Sequence, residues 1–456
     1  MLLSASEVRY VSLCGMLGYG YPLQSLSRAM AAQPAFIGVD AGSTDPGPYY
    51  LGAGVNFVKS EQVKRDLQPA LCAALDAQIP LIVGSAGGSG GAPHVAEFLD
   101  VLSRIAEETG RSVRAAVIDA EVPPHTVLEA LEQGRITPCG PAPELTPDAV
   151  VDCSRIVAQM GTGPLIEALG TGADIIVAGR ACDTAIFAAL PIMEGFDAAL
   201  ALHAAKIAEC GTLCALPGGA NDALTVTLRE DHFIVEPANP EKRCLPDTVA
   251  AHSLYEQPDP NCFHEPEGTV DLSACEFERV GERGVRVSGT RLHAAERHTL
   301  KLEGAALRGY RAVSIAGTTD PGVIASIDEI EQGVRERLDA NLPAECTTGG
   351  YSLRFLRYGL DAVAGGRHRS PETPHELGIV IDVVAPTQQA ADTIVSLARS
   401  TALHQPFTGR KTTAGNFAFP FSPSDLRAGP VYEFAVYHLM QVDEQSALFS
   451  IRIEEF

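Results

Sequence analysis

The stretch FIGVDAGSTDPGPYY, Phe36 to Tyr50, decides how the first half of the chain is read. Its apolar run stops at Val39, and Asp40, Ser43, Thr44 and Asp45 follow among glycines and prolines before two tyrosines. A connection from strand to helix needs about two to six residues, so this loop is longer and more polar than chain reversal demands. The reading is a buried strand that ends in a functional loop.

Working outward, the same texture recurs. YVSLCG from Tyr10, PLIVGS from Pro80, VRAAVID from Val113 and ADIIVAGR from Ala173 are short apolar runs, the pattern of strands buried on both faces. Between them PLQSLSRAMAAQ, SEQVKRDLQPALCAALDAQ and HVAEFLDVLSRIAEETG carry helical periodicity. This alternation predicts an α/β fold: a parallel sheet with helices on both faces over residues 1–216, with ligands at the carboxyl edge of the strands. After Leu216 the pattern changes to alternating strands such as ALTVTLREDHFIVEP and EFERVGERGVRVSGT. We expect a β-rich segment over 217–345 that returns to the α/β core, followed by a C-terminal α+β domain over 346–456.

Composition limits the function. The chain has 57 acidic against 34 basic residues in 456, a net charge of −23, which argues against nucleic acid or an anionic membrane as partner. The first residues lack a basic region followed by a long apolar one, and FDAALALHAAKIAECGTLCAL is broken by His203, Lys206 and Glu209. The expectation is a cytoplasmic protein with a small-molecule substrate, with homo-oligomerisation left open. Eleven cysteines without a CxxC pair predict neither a disulfide framework nor a zinc ribbon.

Candidate chemistry falls at the strand ends. CGMLGYGYP, which includes Tyr19, and the five-glycine loop GSAGGSGGAPH, with Gly87, Gly88, Ser89 and Gly90, offer backbone amides that suit a phosphate or carboxylate. Neither contains a P-loop or a GxGxxG register, and Asp119 comes late for a ribose acid, so a nucleotide cofactor is not expected. The plain alternative is a tight packing turn. In AGRACDTAIFAAL, Arg180 is a candidate clamp for an anionic substrate and Asp183 stands in a first helical turn, although the two could simply brace the turn. His203, Lys206 and Cys210 share one helix face with Glu209 beside it, either a reactive group or an ordinary helix surface. Asp40, Asp45 and Asp183 could hold a hard cation such as Mg²⁺. GNFAFPFSPSDL, with Asn416, Ser422 and Ser424, is a candidate wall of the site.

GYGYPLQSLSRA, FIGVDAGSTDPGPYYLG, GRACDTA, HAAKIAECG, TVAAHSLYEQPDPNCF, VSGT, GNFAFPFSPSDL and GPVYEFAVYH together resemble the acyclic-terpene-utilisation protein A (AtuA-like) family. The resemblance runs over nearly the whole chain, with Cys182 and ECGTLCALPG departing from the usual pattern. It implies a role in degrading terpenoid or other organic acids through acyl-CoA intermediates, often beside a small companion protein. It also marks Asp40, Ser43, Asp45, Arg180, Asp183, Lys206 and Glu209 as functional. The resulting expectation is a lyase or hydratase/isomerase acting on a carboxylic acid or its CoA thioester. Arg180, Ser43, Thr44, the glycine amides, Tyr19 and Asn416 would hold the substrate. Asp45, Asp40, Asp183 or Glu209 would move protons, and Lys206 would steady an enolate. Alternatives are a subunit active only with a partner protein, and a hydrolase or acyltransferase using Cys210 or Cys182.

Overall fold

A computed structural model of the chain describes residues 6–43, 46–365 and 374–456. The protein is a mixed α/β fold with parallel and antiparallel strands. It divides into two compact units, Met1–Ala306 with Phe434–Phe456, and Leu307–Glu433.

The first unit is built on a ten-stranded sheet. Its middle is parallel, in the spatial order Glu7–Ser12, Phe36–Asp40, Leu81–Gly84, Ile175–Ala178 and Arg114–Ile118. All five residues of Phe36–Asp40 are buried, which is why the sequence there is continuously apolar rather than alternating. Successive side chains go to opposite faces. Ile37, Val39, Leu81, Val83, Val117 and Val177 pack with the helices Ser60–Ala77 and Ala92–Thr109. Phe36, Ile82, Ala116, Ile118 and Ile176 pack with Asp183–Met193 and Ala198–Ala208 on the other face. The last two helices are apolar on nearly all sides because both are buried.

The β-rich stretch extends this same sheet. Leu224–Arg229 pairs antiparallel with Glu7–Ser12, and His232–Pro237, Gly284–Ser288 and Glu276–Val280 follow outward. At the opposite edge Ile451–Glu455 lies antiparallel to Arg114–Ile118. The stretch RHTLKLEGAALRGYRAVSIAGT contains one long strand, His298–Thr318. Its residues 301–306 pair with Cys153–Gln159 in the first unit.

In the second unit, residues 310–318 of that strand, Leu377–Ala385 and Ser352–Tyr358 make antiparallel pairs. The helices Ile327–Asn341 and Gln388–His404 bury Val334, Leu338, Ile394 and Val395 with Ile381 and Val383. Among the described residues no helix is long and apolar enough to cross a membrane.

Candidate functional site

Parallel strands in register bring their carboxyl ends to one edge. Asp40 pairs with Gly84, and Val83 with Val177, two residues before Gly179. The turns that leave these strands, together with the segments after the helices Ala198–Ala208 and Pro246–Ser253, enclose a cleft of about 220 Å³. Tyr19, Asp40, Ser43, Asp183, Glu209, Cys210 and Glu256 line it. Among the described residues its lining holds four carboxylates and no lysine or arginine.

Each carboxylate is positioned by the fold. Asp40 ends its strand and is 3 % exposed. Its Oδ2 accepts from the Gly42 amide at 3.2 Å, while its buried Oδ1 has no partner. Asp183 opens the helix Asp183–Met193, where the dipole favours a negative charge, and its buried Oδ1 is likewise without a partner. Glu209 follows the helix Ala198–Ala208, whose start is capped by Asp197 accepting from the Leu200 amide. Glu209 accepts from Lys206 at 2.5 Å, and both are 5 % exposed. Glu256 adopts a left-handed backbone, φ 61°, a conformation that costs a non-glycine residue on the order of 1 kcal/mol.

Burial governs the protonation of this group. It lifts Asp40 well above the usual carboxylate range; the Asp183 charge adds to the lift and Arg180 opposes it. Burial also raises Asp183, against the pull of Arg180, Lys206 and Lys301. Glu209 is pushed up to about 8 by burial, although Lys206 draws it down. Burial pulls the Lys206 ammonium down, but the charge and hydrogen bond of Glu209 outweigh it and keep it protonated. Neighbouring carboxyls that cannot all ionise together are the raw material of general acid–base chemistry.

Arg180 does something different from the expected clamp. Its Nε donates to Glu303 at 3.0 Å and its Nη1 to the Ser85 hydroxyl at 3.1 Å. Arg180 is 4 % and Glu303 1 % exposed, with the Lys301 ammonium 3.2 Å from the second Glu303 oxygen. Arg180 therefore acts on Asp40 and Asp183 through its field.

The glycine loop is filled by the protein itself. Gly88 and Gly90 donate to Ser85 and Ala86 carbonyls, and a Cβ on Gly87 or Gly88 would run into Asn56 or Phe57. At Gly90, φ +65°, a Cβ would stand 2.1 Å from the Arg180 amide nitrogen, so close backbone packing demands glycine there. Gly87, Gly88, Ser89 and Gly90 are not among the residues that line the cleft. In CGMLGYGYP the Gly18 and Gly20 amides both donate to Asp66 at 2.8 Å; the anion they suit is supplied by the chain.

His203 is a core residue, bonded to Thr290 and Ser253 and surrounded by Phe233, Phe263 and Phe277, with burial lowering it to about 3. Asp119 is held by Arg452 and Ser450. Asn416 belongs to the second unit, where its amide donates to Ala402 and Gln405 carbonyls and accepts from Arg410. Thr44 and Asp45 lie outside the described residues. Burial, then Glu209, holds the Cys210 thiol up, and burial, then Glu265, does the same to Cys182; a nucleophilic thiol needs the opposite pull. Among the described residues no three His, Cys, Asp or Glu side chains converge as metal ligands.

Sequence reasoning missed Ser85, Glu303, Glu256 and Glu265. Glu265 ends the strand Cys262–Glu265 and is lifted by burial and by Glu267 and Glu209. A lone acid in the apolar run LKLEGAAL was a usable signal for Glu303; Glu256 reaches the cleft, and Glu265 comes within the field of Glu209, only through tertiary packing.

A family model described as acyclic terpene utilisation family protein AtuA matches residues 60–223 and 225–424. Arg180, Asp183, Lys206, Glu209 and Glu256 fall inside the match, and Asp40 and Ser43 precede it. No curated protein and no solved structure gives a match. With most of its length matched, the chain belongs to the acyclic terpene utilisation (AtuA) family.

Proposed function

We propose that this chain is a catabolic lyase of the hydratase type, adding or removing water across a carbon–carbon double bond conjugated to a thioester, in terpenoid acid breakdown. The observation that carries the reading is the set Asp40, Asp183 and Glu209 on one cleft, with two buried oxygens unpartnered and Glu209 keeping its proton up to about pH 8. The acidic lining favours a substrate whose reacting end is uncharged, so a thioester fits better than a free carboxylate, which the Asp183 charge would repel.

The electrostatics divide the roles. Asp183 has three cations drawing its proton off and serves as the base; Asp40, pressed by the Asp183 charge, stays protonated. In hydration Asp183 takes a proton from water, the oxygen bonds to the β-carbon, and the double-bond electrons move toward the carbonyl as an enolate. Glu209 then delivers its proton to the α-carbon, and the Lys206 ammonium at 2.5 Å stabilises the carboxylate left behind. Dehydration is the reverse.

The test is hydration of a short branched enoyl-pantetheine thioester, followed by loss of the enoyl absorbance. Wild type turns over, Asp183→Asn abolishes turnover, and Glu209→Gln lowers it by about 10²- to 10⁴-fold. Undiminished rates in both variants would remove the acid–base assignment.

A further inference from the structure

A second cavity opens on the same edge of the sheet. Pro237 pairs with Leu224, which pairs with Ser12 at the carboxyl end of the first parallel strand, so the residues just past Pro237 stand on the side where the acidic cleft lies. There Lys242, Arg243, Arg279 and Arg283 line a groove of about 520 Å³. Glu241 and Glu282 also line it, which leaves cations in excess on a chain whose net charge is −23. The groove and the cleft share a wall: Leu213 and Ala220 face the cleft, and Leu216 and Pro217, on the segment between them, line the groove.

The donors are available. Arg243 is exposed, its backbone pairing with Leu216, and its side chain makes no hydrogen bond or ion pair among the described residues. Lys242 uses one donor on the Pro217 carbonyl at 3.1 Å, and Arg279 one on the Glu282 carbonyl at 3.1 Å; an ammonium has three donors and a guanidinium five. Arg283 is fixed by the Pro237 and Asn239 carbonyls and by Glu236 and gives the groove a rigid cationic floor. Cations with donors to spare beside a fixed one, around an open groove, match a ligand with several phosphate oxygens, whereas the cleft beyond the shared wall takes an uncharged group.

We propose that the groove binds the phosphates of coenzyme A, so that one acyl-CoA lies across both cavities, its nucleotide on the basic groove and its thioester in the acidic cleft. This rests on the thioester reading of the cleft. It also explains how an acidic protein recruits a polyanionic substrate: the attraction is confined to one surface and kept apart from the reacting centre.

The experiment titrates adenosine 3′,5′-bisphosphate into the full chain by calorimetry, and separately measures hydration of an acyl-pantetheine thioester that lacks the nucleotide. Wild type binds the bisphosphate. The double variant Arg243→Glu/Arg279→Glu, with an unchanged melting temperature, binds it about a hundredfold more weakly and keeps wild-type kcat on the truncated thioester. Absent binding by wild type, equal binding by the variant, or equally tight binding of inorganic sulfate would each overturn the groove assignment. Truncated-thioester turnover without bisphosphate binding would do so while leaving the acid–base reading intact; binding that the variant loses, without turnover of any thioester, would retain the groove and remove the hydratase.

Discussion

Replacing Glu209 by Gln changes the pH dependence of stability in a direction fixed by burial. In the folded chain Glu209 titrates at about 8, against an ordinary value of 4.5. Between those limits the folded state holds a proton that the unfolded chain has released, so stability falls as pH rises, by about 1.4 kcal/mol per pH unit. The contribution is fully present below pH 4.5 and lost once pH has passed about 8, a total of about 5 kcal/mol for this group. Glutamine keeps the oxygen that accepts from Lys206 but cannot ionise. Glu209→Gln should therefore flatten this part of the profile and be the more stable protein at pH 9, with the difference vanishing toward pH 5. Melting temperatures of both proteins at half-unit steps from pH 5 to 9 would check it. Parallel profiles across that range would refute the claim that burial holds the proton on Glu209.

Arg180→Met leaves the buried Glu303 carboxylate with only Lys301 nearby and should cost about 3 to 5 kcal/mol in denaturant unfolding; adding Glu303→Met should recover much of it. Gly90→Ala drives a methyl against the Arg180 backbone and should lower the melting temperature well beyond Gly134→Ala, where φ is +66° but nothing lies within 4 Å and the cost is about 1 kcal/mol. Burial and neighbouring carboxylates keep Cys210 and Cys182 protonated, so iodoacetamide at neutral pH should label neither quickly by mass spectrometry; rapid labelling of Cys210 would revive a thiol mechanism.

The parallel half of the sheet was legible because strands such as Phe36–Asp40 are buried on both faces and read as unbroken apolar runs. The joining of the later antiparallel strands to that same sheet was not, since Leu224–Arg229 finds its partner Glu7–Ser12 across more than half of the first unit. Asp40 and Asp183 were visible as acids at element ends, and Glu209 as an acid beside a helix face. What sequence could not supply was the partner list. Glu303 claims Arg180, Asp66 claims the Gly18 and Gly20 amides, and the glycine loop closes on Asn56, Phe57 and the Arg180 backbone. Groups that look free for an anion along the chain are thus engaged by residues tens to more than a hundred positions away.

The most direct test of the acid–base account is proton exchange at the α-carbon of a saturated branched acyl-pantetheine thioester in deuterated water, followed by nuclear magnetic resonance. The account predicts that the wild-type protein washes deuterium into the α-position, that Glu209→Gln does not, and that Asp183→Asn, which lacks only the group that acts on water, still does. Exchange that survives in Glu209→Gln at the wild-type rate would contradict it.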